Sequence, residues 1–195
     1  IEALSKVNTL IIDKTGTLTE GKPSLKEIKL LTDDVQHIQV ETWIASIEQH
    51  STHPIAKTLT KLVPENQLLK IQDFEDVSGF GVKAKVDGQS LYVGSQELIE
   101  TMGLFHNDSL IQQLDQQRRE GNVISFIAND QQVLAYMSIH DAIKHNAKAV
   151  IHQLLSDGVE VVMATGDHEQ NASVVAETLG IQQFFANCTP QDKLD

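Results

Sequence analysis

The apolar positions of this chain change their spacing twice, and each change predicts a different kind of element. Residues 7–13, VNTLIID, form a short apolar run suited to a strand buried on both faces. Gly21-Lys22-Pro23 then punctuates the chain. Val40, Trp43, Ile44 and Ile47 follow the i, i+3, i+4, i+7 spacing of an amphipathic helix. Pro54 opens a second expected helix, with Ile55, Leu59, Leu62 and Val63 on one face.

Strict alternation comes next. Val82, Ala84 and Val86 alternate with Lys83 and Lys85, Asp87-Gly88 follows, and QSLYV resumes the apolar run. A two-residue Asp-Gly link between such runs predicts a β-hairpin. NVISFIA and VLAYMSI predict another antiparallel pair around Asn129–Gln132. After Asp141 the pattern reverts to helix and strand in turn. Ile143, Ala147, Val150, Ile151 and Leu154 mark a helix ended by Asp157-Gly158. VEVVMA is a buried strand, EQNASVVAETLG a helix with a glycine stop, and IQQFFA a further strand.

Alternating strands and helices imply a doubly wound parallel sheet. The opening strand has no partner of its own kind until the C-terminal part. The economical solution is one α/β domain formed by residues 1–21 and 138–195, interrupted by an inserted α+β domain, residues 22–137, with an antiparallel sheet.

Composition narrows the function classes. The chain has 195 residues, 41% of them hydrophobic, with 15 Lys+Arg against 27 Asp+Glu and a formal charge of −12. That balance argues against nucleic acid or an anionic membrane surface as a partner. Bound phosphate would need local donors and a divalent cation. Cys188 is the single cysteine, so neither a disulfide framework nor a thiolate metal cluster is expected. No apolar run approaches the length of a membrane span. The start in IEALSKVNTL and the stop in TPQDKLD read as abrupt, so a piece of a longer protein is expected.

In a parallel α/β sheet, ligands bind beyond the carboxyl ends of the strands. Here the first strand ends at Asp13, the second at Thr165-Gly166-Asp167, and the third is followed by Pro190 and Lys193. A carboxylate, a hydroxyl with a glycine turn, a second carboxylate and a cation are parts for phosphoryl transfer. A carboxylate can form an acyl phosphate. Each element alone also has a plain reading. Asp after a strand commonly caps a helix, Thr-Gly-Asp can be a turn, and Lys193 can be a solvated surface residue.

DKTGTLT, residues 13–19, resembles the phosphorylation signature of P-type ATPases, and TGD followed by TPQDK resembles their other phosphorylation motifs. EQHSTHPIAKTL, with Glu48, His53 and Pro54, is similar to the nucleotide-binding Ser-x-His-Pro element of the heavy-metal-transporting (type IB) group. GFGV, residues 79–82, is similar to its Gly-x-Gly element, and Gly94 to its later glycine. The resemblance spans essentially the whole chain. It implies a haloacid-dehalogenase-like phosphorylation domain carrying an inserted nucleotide-binding domain.

The resemblance also implies roles. Asp13 is the phosphorylated carboxylate, and Asp13 with the Thr15 carbonyl binds Mg²⁺. Thr165, Gly166 and Lys193 hold the phosphoryl group, with Asp167 in the same site. Glu48 and His53 orient the adenine of ATP, and Gly79, Gly81 and Gly94 line its pocket. Asp141 and Lys144 fall at the return from the insert. Related phosphatases place a second Asp two residues after the nucleophile. Thr15 stands there instead, so an acyl phosphate on Asp13 is expected to persist. Thr52, Ser95 and His168 depart from the family's usual residues around the nucleotide, and the chain stops before a Gly-Asp-Gly element that would add Mg²⁺ ligands.

The expectation is therefore the ATP-binding and phosphorylation region of a P-type ATPase exporting a soft metal ion, Cu⁺ before Zn²⁺ or Cd²⁺. It lies on the cytoplasmic side of the cell (inner) membrane, and its partners are the membrane and actuator domains of the same parent chain. The fragment alone is expected to be monomeric and to bind ATP with little or no turnover. The alternatives are a capped phosphatase of the same superfamily and a non-enzymatic nucleotide-binding module.

Overall fold

The computed structural model describes residues 8–53, 55–77, 80–104, 108–167 and 169–188. In chain order the strands are β1 Thr9–Asp13, β2 Ser24–Leu30, β3 Ile71–Val77, β4 Gly81–Val86, β5 Gln89–Gly94, β6 Asn122–Asn129, β7 Val133–His140, β8 Glu160–Ala164 and β9 Gln183–Phe185. The helices are α1 His37–Glu48, α2 Ala56–Leu59, α3 Gln96–Thr101, α4 Asp108–Arg119, α5 Ala147–Ser156 and α6 Glu169–Leu179. The chain divides into two units. The first holds the residues through Lys22, Arg118–Val123 and the residues from Asp141 onward; the second holds Pro23–Gln117 and Ile124–His140.

The first unit is built on a parallel sheet in the order β1-β8-β9. Asp13 lies in register with Ala164, and Ala164 with Phe185, so all three strands deliver their carboxyl ends to one edge. Ala147 and Ile151 of α5 and Ala172, Val175, Ala176 and Leu179 of α6 pack on Val161 and Met163 of β8, with Ile12 and Phe184 against the same core. Full burial of a side chain the size of Ile151 or Met163 contributes about 1.5–3 kcal/mol.

The opposite sheet face differs from the expectation of a strand buried on both sides. Ile11 is 64% exposed and Phe185 60%. Among the described residues β1 pairs with β8 alone and the crossover helices share the other face, so alternate residues of β1 are exposed. Val150, expected on the apolar face of α5, is also exposed.

The second unit is a six-stranded sheet in the order β2-β7-β6-β5-β4-β3. Val82, Ala84 and Val86 point inward as their alternation requires. Asp87 and Gly88, with φ of 51° and 80°, form the tight turn between β4 and β5. One sheet face carries Ile124, Phe126, Ala128 and Tyr136 against Ile99 of α3 and Leu114 of α4.

The helix expected from Pro54 onward is much shorter. Only Ala56–Leu59 are helical, although Ile55, Leu59 and Val63 are buried and Leu62 half-buried, as the pattern asks. Pro54 itself lies outside the described residues. β2, β3, α3 and α4 have no counterpart in the sequence reading. Among the described residues, no helix is long and apolar enough to cross a membrane.

Candidate active site

The carboxyl edge of the parallel sheet collects Asp13, Thr15, Thr165, Gly166 and Asp167 in the first unit. β1 ends at Asp13, whose φ and ψ of −71° and 142° are still extended. The chain then turns sharply. Thr15 (−72°, 123°) and Gly16 (76°, −14°) occupy the central positions of a type II turn, which demands positive φ at the second of them. The side chain of Asp13 lies on the open side of the sheet, whereas that of Lys14 is directed inward and is 3% exposed.

The return from the second unit holds this loop in shape. The Thr19 hydroxyl donates to Asp141 Oδ2 and accepts from the Gly16 N–H at 3.2 Å. The Thr19 N–H donates to the Lys14 carbonyl at 3.1 Å, and Lys144 Nζ donates to the Gly16 carbonyl at 2.8 Å. Asp141 also accepts from the Lys22 N–H at 3.2 Å. Asp141 and Lys144, read from sequence only as a return element, thus brace the loop that follows Asp13.

The turn after β8 is braced in parallel. Thr165 is buried, donates its N–H to the Phe185 carbonyl at 2.9 Å, and accepts the Asp167 N–H on its hydroxyl at 3.1 Å. The segment after β9 closes over it. The Asn187 N–H donates to the Asp167 carbonyl and the Cys188 N–H to the Thr165 carbonyl, each at 2.9 Å. The Asp167 carboxylate meets Lys14 Nζ at 2.8 Å and accepts from Asn171 Nδ2 at 2.8 Å. Lys193, Pro190 and His168 lie outside the described residues.

Sequence reasoning missed Lys14, Thr19 and Asn171. The i, i+4 spacing of Asp167 and Asn171 at the start of α6 was a usable signal. A buried lysine beside a candidate nucleophile was not, because burial is a tertiary property. Asp13 and the Thr15 carbonyl offer hard oxygen donors on an exposed turn, which suits Mg²⁺, an ion that retains waters and takes few protein ligands.

The remaining candidates lie in the second unit. Glu48 ends α1 and is 5% exposed, with Oε2 unpartnered among the described residues. Desolvation pushes its carboxyl from 4.5 up to about 7, against a smaller opposing hydrogen bond from Ser51. His53 is exposed, and its Nδ1 accepts the Ile55 N–H at 3.4 Å, which leaves Nε2 directed elsewhere. Gly81 and Gly94 face each other across β4 and β5. A Cβ on Gly94 would lie 2.2 Å from the Phe80 carbonyl oxygen and 2.8 Å from Gly81 Cα. Ser95 caps α3, accepting the Leu98 N–H at 3.4 Å. Gly79 lies outside the described residues. A surface depression at the end of α1, lined by Gln49, Lys61, Pro64 and Leu68, includes none of these residues.

Burial of Glu48 has a consequence for stability. Between pH 4.5 and 7 the folded protein keeps a proton there that the unfolded chain has released. This contribution is fully present below pH 4.5 and is lost as pH rises through 7, a change on the order of 3 kcal/mol. Glu48→Gln is therefore expected to match the wild type in unfolding free energy near pH 4.5 and to exceed it at pH 8. Urea titrations of both proteins at the two pH values check this, and a pH-independent difference would refute it.

Comparison with known proteins adds the family. The family model described as hydrolase, haloacid dehalogenase-like hydrolase, matches residues 7–194. A copper-exporting P-type ATPase of Legionella pneumophila subsp. pneumophila is 37% identical over 195 residues, covering 99% of this chain and 26% of that protein. A probable cadmium-transporting ATPase of Staphylococcus aureus is 28% identical over 206 residues, covering 100% of this chain and 28% of its own length. The catalytic domain of the CPx-ATPase CopB-B, solved in a study of conformational changes upon nucleotide binding, superposes with a TM-score of 0.73 at 26% identity. That match covers 98% of this chain and 65% of the other. The chain spans about a quarter of the length of these curated relatives.

Proposed function

The chain belongs to the haloacid dehalogenase-like hydrolases, and on that footing we propose that it is the cytosolic ATP-binding and phosphorylation region of a heavy-metal P-type ATPase. The observation that carries the reading is the register of Asp13 with Ala164, which sets Asp13 at the end of β1 beside Thr165 and Gly166, the residues that follow β8. An Asp13 carboxylate oxygen attacks the γ-phosphorus of ATP, the bond to the bridging oxygen breaks, and ADP leaves. The product is an acyl phosphate on Asp13. The Thr165 hydroxyl, the Gly166 backbone and Lys193 receive the equatorial oxygens. Asp13 and the Thr15 carbonyl are the oxygen donors for Mg²⁺, which when bound neutralises phosphate charge.

Thr15 supports energy coupling rather than simple phosphatase action. It stands two residues after Asp13 and has no group that can take a proton from water near neutral pH. The acyl phosphate therefore waits for a group outside this chain. In this reading residues 22–137 are the nucleotide-binding domain, with Glu48 and His53 on the adenine. The parent exports Cu⁺ from the cytoplasmic side of the membrane, working with membrane and actuator domains beyond this chain. The copper-exporting relative favours copper, and the cadmium-transporting one makes Cd²⁺ or Zn²⁺ the second choice.

The test is incubation of the full-length parent with γ-labelled ATP and acid quenching. A protein-bound label released by hydroxylamine is expected. Prompt release of inorganic phosphate without bound label would favour the capped phosphatase. A separate expectation concerns His53→Ala. ATP affinity, followed by chemical-shift titration, falls about tenfold while unfolding free energy falls by no more than about 1 kcal/mol, the worth of one hydrogen bond. Unchanged affinity would remove His53 from the site.

A further inference from the structure

Lys14 is 3% exposed, as deeply buried as any charged residue among those described, and the mechanism above gives it no task. Its ammonium meets the Asp167 carboxylate at 2.8 Å, with both side chains largely out of water. An ion pair in such a place is poor value for stability alone, because stripping water from two charges offsets most of their attraction. Its location is more informative. Lys14 directly follows the candidate nucleophile, and Asp167 follows the turn whose hydroxyl and glycine lie beside it.

Asp167 is tied to three separate pieces of chain. Its carboxylate holds Lys14 of the loop after β1 and Asn171 of α6, and its carbonyl accepts the Asn187 N–H after β9. Its own N–H donates to the Thr165 hydroxyl oxygen, which sets the direction of that hydroxyl. Lys14 is thus connected to Thr165 through one residue, while its side chain and that of Asp13 diverge on opposite sides of the backbone.

We propose that Lys14 is a positioning residue for phosphoryl transfer to Asp13, acting through a buried ionic latch with Asp167 that registers the Thr165–Asp167 turn against the reactive loop. The proposal rests on the phosphorylation reading of Asp13. The latch has two effects. It holds the turn, by the ion pair from Lys14 to Asp167, in the place where the phosphoryl oxygens must land. It also occupies a carboxylate that would otherwise repel the incoming γ-phosphate.

The experiment uses the full-length parent, with folding verified by circular dichroism. In Lys14→Met, phosphoprotein formation at saturating ATP is expected to slow roughly 100-fold, the scale of an ångström-sized misplacement. The ATP concentration at half-maximal rate stays within twofold, because nucleotide recognition is assigned to the other unit. The double variant Lys14→Met/Asp167→Asn is expected to be no more than about twofold slower than the slower single variant, since both cut one connection. A folded Lys14→Met that reacts within threefold of wild type overturns the proposal, as do effects of the single variants that multiply.

If Lys14→Met does not fold, the double variant decides, since it leaves no unpaired buried charge. A rate near that of wild type overturns the latch, and a roughly 100-fold loss supports it. A second readout needs no phosphorylation. The amides of Asp167 and Asn187 are expected to exchange at least about tenfold faster in the variant that folds, and unchanged exchange overturns the latch. A wild type that never forms a hydroxylamine-labile phosphoprotein would instead refute the proposed function, visibly and before any variant is made.

Discussion

Asp13→Asn is expected to abolish the hydroxylamine-labile phosphoprotein, with a loss of at least about 1,000-fold in its rate of formation. The substitution changes charge but hardly shape. The carboxylate that attacks phosphorus becomes a neutral amide with no nucleophilic oxygen of comparable strength, so the loss falls on the chemical step. Folding should be affected little, because Asp13 is solvent-exposed at the end of β1. Such positions usually move stability by less than about 0.5 kcal/mol. ATP affinity should persist, since Glu48 and His53 lie in the other unit. Acid-quenched labelling of wild type and variant, beside an ATP titration of each, checks both halves. Residual labelling of the variant at the wild-type rate would move the phosphorylation site away from Asp13.

Gly94→Ala is expected to cost the second unit about 4 kcal/mol or more, which places it among the exceptional single substitutions. The new methyl would stand 2.2 Å from the Phe80 carbonyl oxygen and 2.8 Å from both Gly81 Cα and Leu98 Cδ2. Two of these three neighbours are backbone, which cannot swing aside as a side chain can. Relief requires β4 and β5 to part where Gly81 pairs with Gly94, next to the Gly94–Phe126 pair. It also strains the Ser95 N–H to Phe80 carbonyl bond of 2.7 Å that leads into α3.

Gly88→Ala is the useful control. Nothing lies within 4 Å of its Cβ, so only the positive φ of 80° opposes it, at about 1 kcal/mol. Urea unfolding of the three proteins gives the comparison, and a Gly94→Ala loss below about 1 kcal/mol would show that the strands separate freely. The two glycines are therefore committed to strand packing whatever else they border. A loss of ATP binding in Gly94→Ala must be read against folding before it is read as loss of a contact.

Much of the fold was legible because the relevant signals are local. The Asp87-Gly88 turn, the alternation of Val82, Ala84 and Val86, and the spacing of Val40, Trp43, Ile44 and Ile47 each report a period that neighbouring residues alone determine. Where the period is broken, legibility fails for a physical reason. β2 pairs with β7 through a register shift between Leu25 and Glu27, so its half-buried Leu25, Ile28 and Leu30 do not alternate. α4 is strongly polar, with Leu114 as its fully buried anchor, and offers few apolar positions from which to read a face. The segment after Pro54 has helical spacing, yet only four residues wind into a helix, because burying Ile55, Leu59 and Val63 does not require the turns between them to be regular.

The candidate site divides along the same line. Its functional groups could be read from sequence: an acid at a strand end, a Thr-Gly-Asp turn at another, and a threonine two residues after the acid. Those are choices of functional group, and each is written in a few adjacent residues. The environment of those groups came from the folded chain. Lys14 has the same composition whether solvated or buried, and only the packing of β1 beside β8 places it against Asp167, 153 positions away. Likewise Glu48 is an ordinary acid until α1 is packed in place, when desolvation lifts its carboxyl to about 7. Sequence thus determined which groups are available, because reactivity begins with the side chain. Tertiary structure decided which are paired, desolvated or held in line, because charge and position are settled by residues far along the chain.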